Sequence, residues 1–177
     1  EIRVTLNAND HSTLAVRGSS GEADSRLTVA LDVPRLAELA PLLPARVPRP
    51  LAGALRASGE LRGHLRDGGV TLEAKGEALK IGSALALETL AARIAIDPPI
   101  ASASVAAVGE RRLAVEVAST GVVAPTGRFP RARASVEGTL SRHTASVSFA
   151  GEDLDVDASA HGGFDPTRTA GDVALAL

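Results

Sequence analysis

The sequence predicts a mainly β protein, in which repeated hairpins form an elongated, curved antiparallel sheet with one short helical insertion near residues 34–43. Apolar and polar residues alternate through most of the chain, and successive side chains of a strand point to opposite faces. The 17 glycines and 10 prolines are too many for a mostly helical protein. Aromatic residues make up only 2% of the chain. Because aromatic side chains supply much of the buried area of a thick core, we expect a thin aliphatic layer instead.

The first three strands are predicted from short runs in which every second residue is apolar. A turn is predicted at 18–21, where two glycines flank two serines. The apolar positions of these strands are Ile2, Val4 and Leu6, then Leu14 and Val16, then Leu27, Val29 and Leu31.

The periodicity changes after Pro34, where leucines recur at helical spacing and prolines follow. We therefore predict a short helix and a proline-rich crossover over residues 34–51. This insertion either covers an exposed apolar edge of the sheet or forms an amphipathic lid that touches lipid or a partner. The residues concerned are Leu36, Leu39, Leu42 and Leu43, then Pro41, Pro44, Pro48 and Pro50.

Alternation resumes after the insertion and continues to the end of the chain. Within residues 85–96 the apolar phase slips by one residue at Thr89, which predicts a β-bulge. A weaker strand is predicted around Val105. The alternating runs are 55–61, 70–74, 85–96, 113–117, 134–140, 145–149, 154–160 and 173–177. We expect residues 1–177 to be one β-rich segment of a longer chain.

Charge and composition exclude several classes of function. The net charge of −2 gives no general electrostatic basis for nucleic-acid binding. The absence of cysteine excludes disulfides and thiolate-bound metals. No apolar run reaches the roughly 18 residues of a transmembrane helix.

The polar residues do not form a recognisable catalytic or metal-binding motif, so we expect no enzyme activity, metal or cofactor. The four histidines lack the spacing of a zinc site. Asp153, Asp155 and Asp157 resemble the start of a calcium loop, but Ala158 and Phe164 stand where that loop needs Gly and Glu. The histidines are His11, His64, His143 and His161.

Three segments resemble an interior part of the TamB family of AsmA-like, bridge-like lipid transfer proteins. They are LRASGELRGHL (55–65), EAKGEALKI (73–81) and GTLSRHTASVSFAGEDLDVDASAHGGF (138–164). Within the chain, residues 55–79 also resemble residues 132–156, as repeated hairpins do. The resemblance runs from about Leu27 to the end of the chain.

The resemblance implies a β-taco with an apolar groove, in the periplasmic part of an inner-membrane-anchored bacterial protein. The implied functions are phospholipid transport between the two membranes and assembly of outer-membrane proteins such as autotransporters. The implied partners are phospholipid acyl chains, an outer-membrane β-barrel assembly partner of the TamA type, and unfolded outer-membrane protein strands.

Strand alternation predicts which side chains line the groove. An alternative reading of the same pattern is a purely structural β module, such as an adhesin or solenoid segment with a filled interior. The predicted lipid-binding residues are Leu55, Leu61, Val70, Leu72, Leu87, Ile94, Ile96, Leu113, Val115, Val136, Leu140, Val147, Phe149, Leu154 and Val156.

Overall fold

The computed structural model contains one antiparallel sheet of eleven strands, and each strand pairs with its neighbours in the chain. The structure describes residues 2–8, 11–19, 25–42, 44, 47–63, 68–97, 109–151, 155–165 and 170–176. The predicted strand around Val105 and the histidine His64 lie outside these ranges.

The strands differ in length, and the longest are in the middle of the sheet. They are β1 (Ile2–Ala8), β2 (Ser12–Ser19), β3 (Arg26–Val33), β4 (Leu51–Arg62), β5 (Gly69–Ile81), β6 (Leu85–Ile96), β7 (Arg112–Ala124), β8 (Gly127–Thr139), β9 (His143–Ala150), β10 (Asp155–Asp165) and β11 (Ala170–Ala176).

The predicted fold class is confirmed, including the short helix between β3 and β4. This helix is a 3-10 helix at Leu36–Leu42 with Pro41 inside it, and it packs against β4. Arg49 donates to the carbonyl oxygen of Ala40 at 2.6 Å. This bond satisfies one of the carbonyls that a helix end leaves without an intrahelical partner. No helix in the described ranges has the length and apolar character needed to cross a membrane.

A row of irregular backbone crosses the sheet near one end of the strands. Gly53, Ala78 and Gly121 have φ angles of 100°, 49° and 59°, and the β4–β5 register shifts between Ala52 and Ala54. We call the row formed by Gly53, Ala78 and Gly121 the kink. A left-handed residue resets the alternation of faces. As a result, the side chain of Leu79 lies over Gly76 although the two are an odd number of residues apart.

The kink corrects the predicted bulge at Thr89. The β5–β6 register is continuous from Ile96 to Leu85, so the shift in pairing lies between β4 and β5 instead. Thr89 is part of the ladder and hydrogen-bonds the Thr120 hydroxyl at 2.6 Å. The phase slip in the sequence therefore indicates how far along the strands the kink lies. It does not indicate which strands contain the irregular backbone.

The fully buried apolar side chains of the described residues are at the kinked end of the sheet. Val33 is completely buried, and Leu51, Leu79 and Val122 are between 5% and 7% exposed. They come from β3, β4, β5 and β7 at the end where the 3-10 helix packs. This end is a small closed core, whereas the rest of the sheet is a single layer.

We expect Gly53→Ala to lower the free energy of unfolding by about 2 kcal/mol or more, because a left-handed alanine is strained. Its Cβ would also lie 2.5 Å from the Ala78 carbonyl oxygen and 2.6 Å from that of Glu77. Urea denaturation measures the change. Ser58→Ala, at an exposed position of the same strand, is the control and should shift stability by less than about 0.5 kcal/mol. Equal stability of Gly53→Ala and the wild type would contradict the assigned backbone.

Candidate functional site

The strand register groups the apolar side chains into four rows that cross the sheet. Directly paired residues of neighbouring strands point to the same face, so each row follows from the pairings. We call the face that carries these rows the apolar face, and the opposite face the polar face.

Row one is at the kinked end, and rows two to four follow towards the other end. Row one is Val33, Leu55, Gly76, Leu90, Ser119, Ala132, Phe149 and Val156. Row two is Leu14, Leu31, Ala57, Ala74, Ala92, Val117, Ala134, Val147 and Ala158. Row three is Val4, Val16, Val29, Gly59, Leu72, Ile94, Val115, Val136, Ala145 and Ala160. Row four is Gly18, Leu27, Leu61, Val70, Ile96, Leu113, Gly138, His143 and Gly162.

Most of the predicted groove residues are in these rows. Leu87 is beyond the kink, opposite Leu79. Leu140 is half-buried in the turn after β8, not in a strand as its alternation predicts. The reason is that its N–H donates to the Arg111 carbonyl oxygen at 3.0 Å, outside the β8–β9 ladder. Leu154 lies outside the described residues. The residues in rows are Leu55, Phe149, Val156, Val147, Leu72, Ile94, Val115, Val136, Leu61, Val70, Ile96 and Leu113.

The apolar face is only half-buried over most of its length. Among the described elements, each strand packs chiefly against its neighbours in the sheet, and the 3-10 helix packs on β4. Val29 and Leu72 in row three are each 36% exposed. In the described ranges no second layer comparable to a sandwich partner covers rows two to four.

On the three strands β4 to β6, row two forms the floor of a shallow channel that crosses the strands. From β4 to β6 it consists of Ala57, Ala74 and Ala92. Rows one and three beside it carry larger side chains, such as Leu90 and Ile94. Residues two apart in a strand are about 6.8 Å apart, so rows one and three are about 14 Å from each other. A channel of this width, with a flat aliphatic floor, has room for an extended hydrocarbon chain.

The row-two alanines are absent from the predicted groove residues. Their signal is present in the sequence, because Ala57 and Ala74 stand between polar residues and Ala92 is in phase with Leu90 and Ile94. Selection by hydrophobicity favours Leu, Ile and Val and passes over Ala. The channel shape comes from the alignment of small residues across strands, which requires the register.

The polar face of the first half of the sheet carries cross-strand ion pairs. Arg26 and Arg62 both contact Glu60, at 2.5 and 2.8 Å. Arg56 lies 3.3 Å from Asp32. The guanidinium of Arg62 donates to both carboxylate oxygens of Glu60, and this hydrogen bonding is the main cause that lowers the pKa of Glu60 below its usual value. Charge on this face keeps it in water, and the aliphatic surface of the sheet is confined to the other face.

Arg111 closes the end of the sheet opposite the kink. Its side chain is buried, with the residue 8% exposed. Nε donates to the Asp97 carbonyl oxygen at 3.2 Å, and Nη2 donates to the Gly68 carbonyl oxygen. These carbonyls come from the end of β6 and the start of β5, so one guanidinium joins three strand ends.

A depression of about 840 Å³ crosses β7 to β10. It is lined by the two rows of the polar face that flank row two, with the row-two residues Val117, Ala134, Val147 and Ala158 between them, and by no residue of rows one and three. This lining places the depression on the polar face. The polar members of its lining are Glu116, Arg133, Ser135, Ser146, Ser148, Asp157 and Ser159. It is therefore separate from the apolar channel.

Comparisons with protein-family models, with curated proteins and with solved structures found no match to this chain. The described strands and rows define a protein with an open, single-layer antiparallel sheet that has one aliphatic and one charged face.

We expect Arg111→Ala to lower the free energy of unfolding by about 3 kcal/mol, because it leaves the buried Gly68 carbonyl without its donor and removes the bond to the Asp97 carbonyl. Thermal or urea denaturation measures this loss. The neighbouring Arg112 is exposed, so Arg112→Ala is the control and should cost less than about 0.5 kcal/mol. Similar costs for the two variants would show that Arg111 does not join the strand ends.

The pKa of the Glu60 carboxyl should rise towards its usual value in Arg62→Ala, because the main cause of its lowering is removed. A lowered folded-state pKa means that Glu60 contributes stability above its unfolded pKa, and that this contribution is lost as the pH falls through the folded value. An NMR titration of the side-chain carboxyl carbon measures the pKa. Arg56→Ala, which removes the partner of Asp32, should leave Glu60 unchanged. An unmoved pKa in Arg62→Ala would assign the lowering to another group.

Proposed function

We propose that the apolar face binds the acyl chains of phospholipids, and that the chain is a periplasmic groove segment of a TamB-like protein that carries lipid between the inner and outer membranes. The observation that supports this proposal is the continuity of the aliphatic rows from β2 to β10 on a face that no second layer of described residues covers. An exposed apolar surface of this extent marks an interaction site in a natural protein.

Hydrocarbon is the chemistry that matches this face. Rows two and three from β3 to β8 contain only Ala, Val, Leu, Ile and Gly side chains, with no hydrogen-bonding group. Each CH₂ group removed from water stabilises the bound state by about 0.8 kcal/mol. An acyl chain along row two would gain this energy from any aliphatic contact, so binding does not depend on a particular side chain.

The same face fits a second cargo of similar chemistry. An unfolded outer-membrane protein strand carries apolar side chains at every second position, and these would pack on the aliphatic rows. When it binds such strands, the protein assists outer-membrane protein assembly together with a TamA-type partner. Acyl chains and unfolded strands then use the same groove.

The alternative, a structural β module with a filled interior, has less support. A filled interior needs large side chains that are removed from water by a facing layer. The buried apolar side chains of the described residues are confined to the kinked end, and Val29 and Leu72 in the middle of the face are more than one-third exposed.

The chain offers a matched pair of positions to test lipid binding. Ala91 and Ala92 are adjacent on the central strand β6, and Ala92 is in row two while Ala91 is exposed on the polar face. A photo-crosslinking amino acid such as p-benzoylphenylalanine is placed at either position. The protein is then irradiated with vesicles of phosphatidylethanolamine and phosphatidylglycerol.

Mass spectrometry should find phospholipid adducts at position 92 and at most background adducts at position 91. Circular dichroism confirms that both proteins retain the sheet. Equal labelling at the two positions, or none at either in the folded protein, would refute the lipid groove and favour the structural module. The charge variant Ala92→Arg should lower lipid binding at least about tenfold, because an unpaired charge is costly beside hydrocarbon, whereas Ala91→Arg should not.

A further inference from the structure

The charged residues of the polar face are organised differently in the two halves of the sheet. In the first half, Asp32, Glu60 and Glu73 each have an arginine partner on a neighbouring strand. In the second half, arginines lie on β8 and aspartates on β10, and none of them forms an ion pair with another described residue. The residues are Arg131, Arg133, Asp155 and Asp157, all exposed.

The unpaired charges are arranged with opposite signs on either side of β9. Arg131 and Asp155 are both opposite Ala150, and Arg133 and Asp157 are both opposite Ser148. Strands two places apart in a sheet are separated by about 9.6 Å. The two arginines of β8 and the two aspartates of β10 therefore lie at equal distances from β9, on opposite sides of it and at matching positions along the strands.

The next two rows follow the same rule. Ser135 and Ser159 are both opposite Ser146, and Glu137 and His161 are both opposite Thr144. His161 Nδ1 lies 3.0 Å from the Thr144 hydroxyl. In these four rows, each polar-face side chain of β8 therefore has a counterpart of complementary or neutral character on β10, at the same position along β9.

We propose that the polar face of β8–β10 is a dimer interface, in which a second copy of this chain packs face to face about a two-fold axis parallel to β9. Such an axis places β8 of one copy over β10 of the other while keeping each row at the same height along the strands. Arg131 then faces Asp155 of the second copy, and Arg133 faces Asp157. Each pair occurs twice, as an isologous interface requires.

The shape of this surface suits the proposed packing. A twisted sheet has a saddle-shaped surface. When a two-fold axis runs parallel to the strands, the two facing surfaces curve in the same way and stay evenly spaced, as in aligned sheet packing. On the axis, Ser146, Ser148 and Ala150 are small, so the backbones can approach. The depression of about 840 Å³ between the polar rows gives space for the arginine side chains of the second copy.

The size and chemistry of the patch predict a weak, salt-sensitive dimer. Three strands and four rows bury less surface than the roughly 1,600 Å² of a standard interface, and exposed ion pairs are screened by salt. The apolar face is on the other side of the sheet. Dimerisation therefore leaves the proposed lipid groove free, and this proposal is independent of that function.

Sedimentation equilibrium of the wild-type chain provides the first test. At about 50 mM salt the mass should rise from monomer to dimer over about 10–500 µM protein, and at about 500 mM salt the transition should move to higher concentration. Lys75 is exposed on the polar face of β5, away from the proposed interface. Lys75→Glu is thus the matched control and should dimerise like the wild type.

Charge reversal provides the second test. Arg133→Asp and Asp157→Arg each place like charges together in the homodimer, so each variant alone should dimerise at least about tenfold more weakly. An equimolar mixture of the two variants should form a heterodimer, because both inter-chain contacts are then between opposite charges. The double variant Arg133→Asp/Asp157→Arg should regain self-association.

The proposal is overturned if the wild type stays monomeric at low salt over the whole concentration range. It is also overturned if the single reversals dimerise like the wild type, or if their mixture stays monomeric while circular dichroism shows the sheet in both. Should one reversal fail to fold, Arg133→Gln removes the charge with little change in shape. A dimer affinity of Arg133→Gln equal to that of the wild type would also overturn the proposal.

Discussion

Continuous hydrogen-bonded register across eleven strands is the constraint on which the structure depends. Because side chains alternate with a period of two, a slip of one residue in any strand would move its aliphatic residues to the water-exposed face. The rows keep their order from β2 to β10, and they turn these nine amphipathic strands into one apolar surface and one charged surface. The proposed groove, the ion pairs and the proposed dimer contacts all follow from this registration.

The two ends of the strands are closed in different ways. At one end the kink turns the strand ends so that Leu51, Leu79 and Val122 are buried, and the 3-10 helix packs there on β4. At the other end Arg111 binds the carbonyls of Asp97 and Gly68. Both devices lie outside rows two and three. The sheet is thus held at its margins, and the aliphatic centre does not need a packed second layer for its order.

The fold could be predicted from the sequence because the alternation is strong and its interruptions have distinct causes. The prolines around residues 34–51 mark the helical insertion, and the slip at Thr89 marks the level of the kink. The location of the kink in β4, β5 and β7 could not be predicted, since it depends on which backbone adopts the left-handed conformation. Alternation also predicted the face of Ile94 and Val147. It could not show that alanines align into the channel floor, because alignment across strands requires knowledge of the register.

Because each strand contacts mainly its neighbours in the chain, the length and the cross-section of the apolar surface are set by separate features. Adding a hairpin lengthens the surface by about 9.6 Å, whereas the width depends on strand length and on the position of the kink. Evolution can therefore extend such a protein by duplicating a hairpin, as the similarity of residues 55–79 to residues 132–156 suggests. Each added unit would inherit a groove of unchanged profile, provided that its alternation keeps the phase of its neighbours.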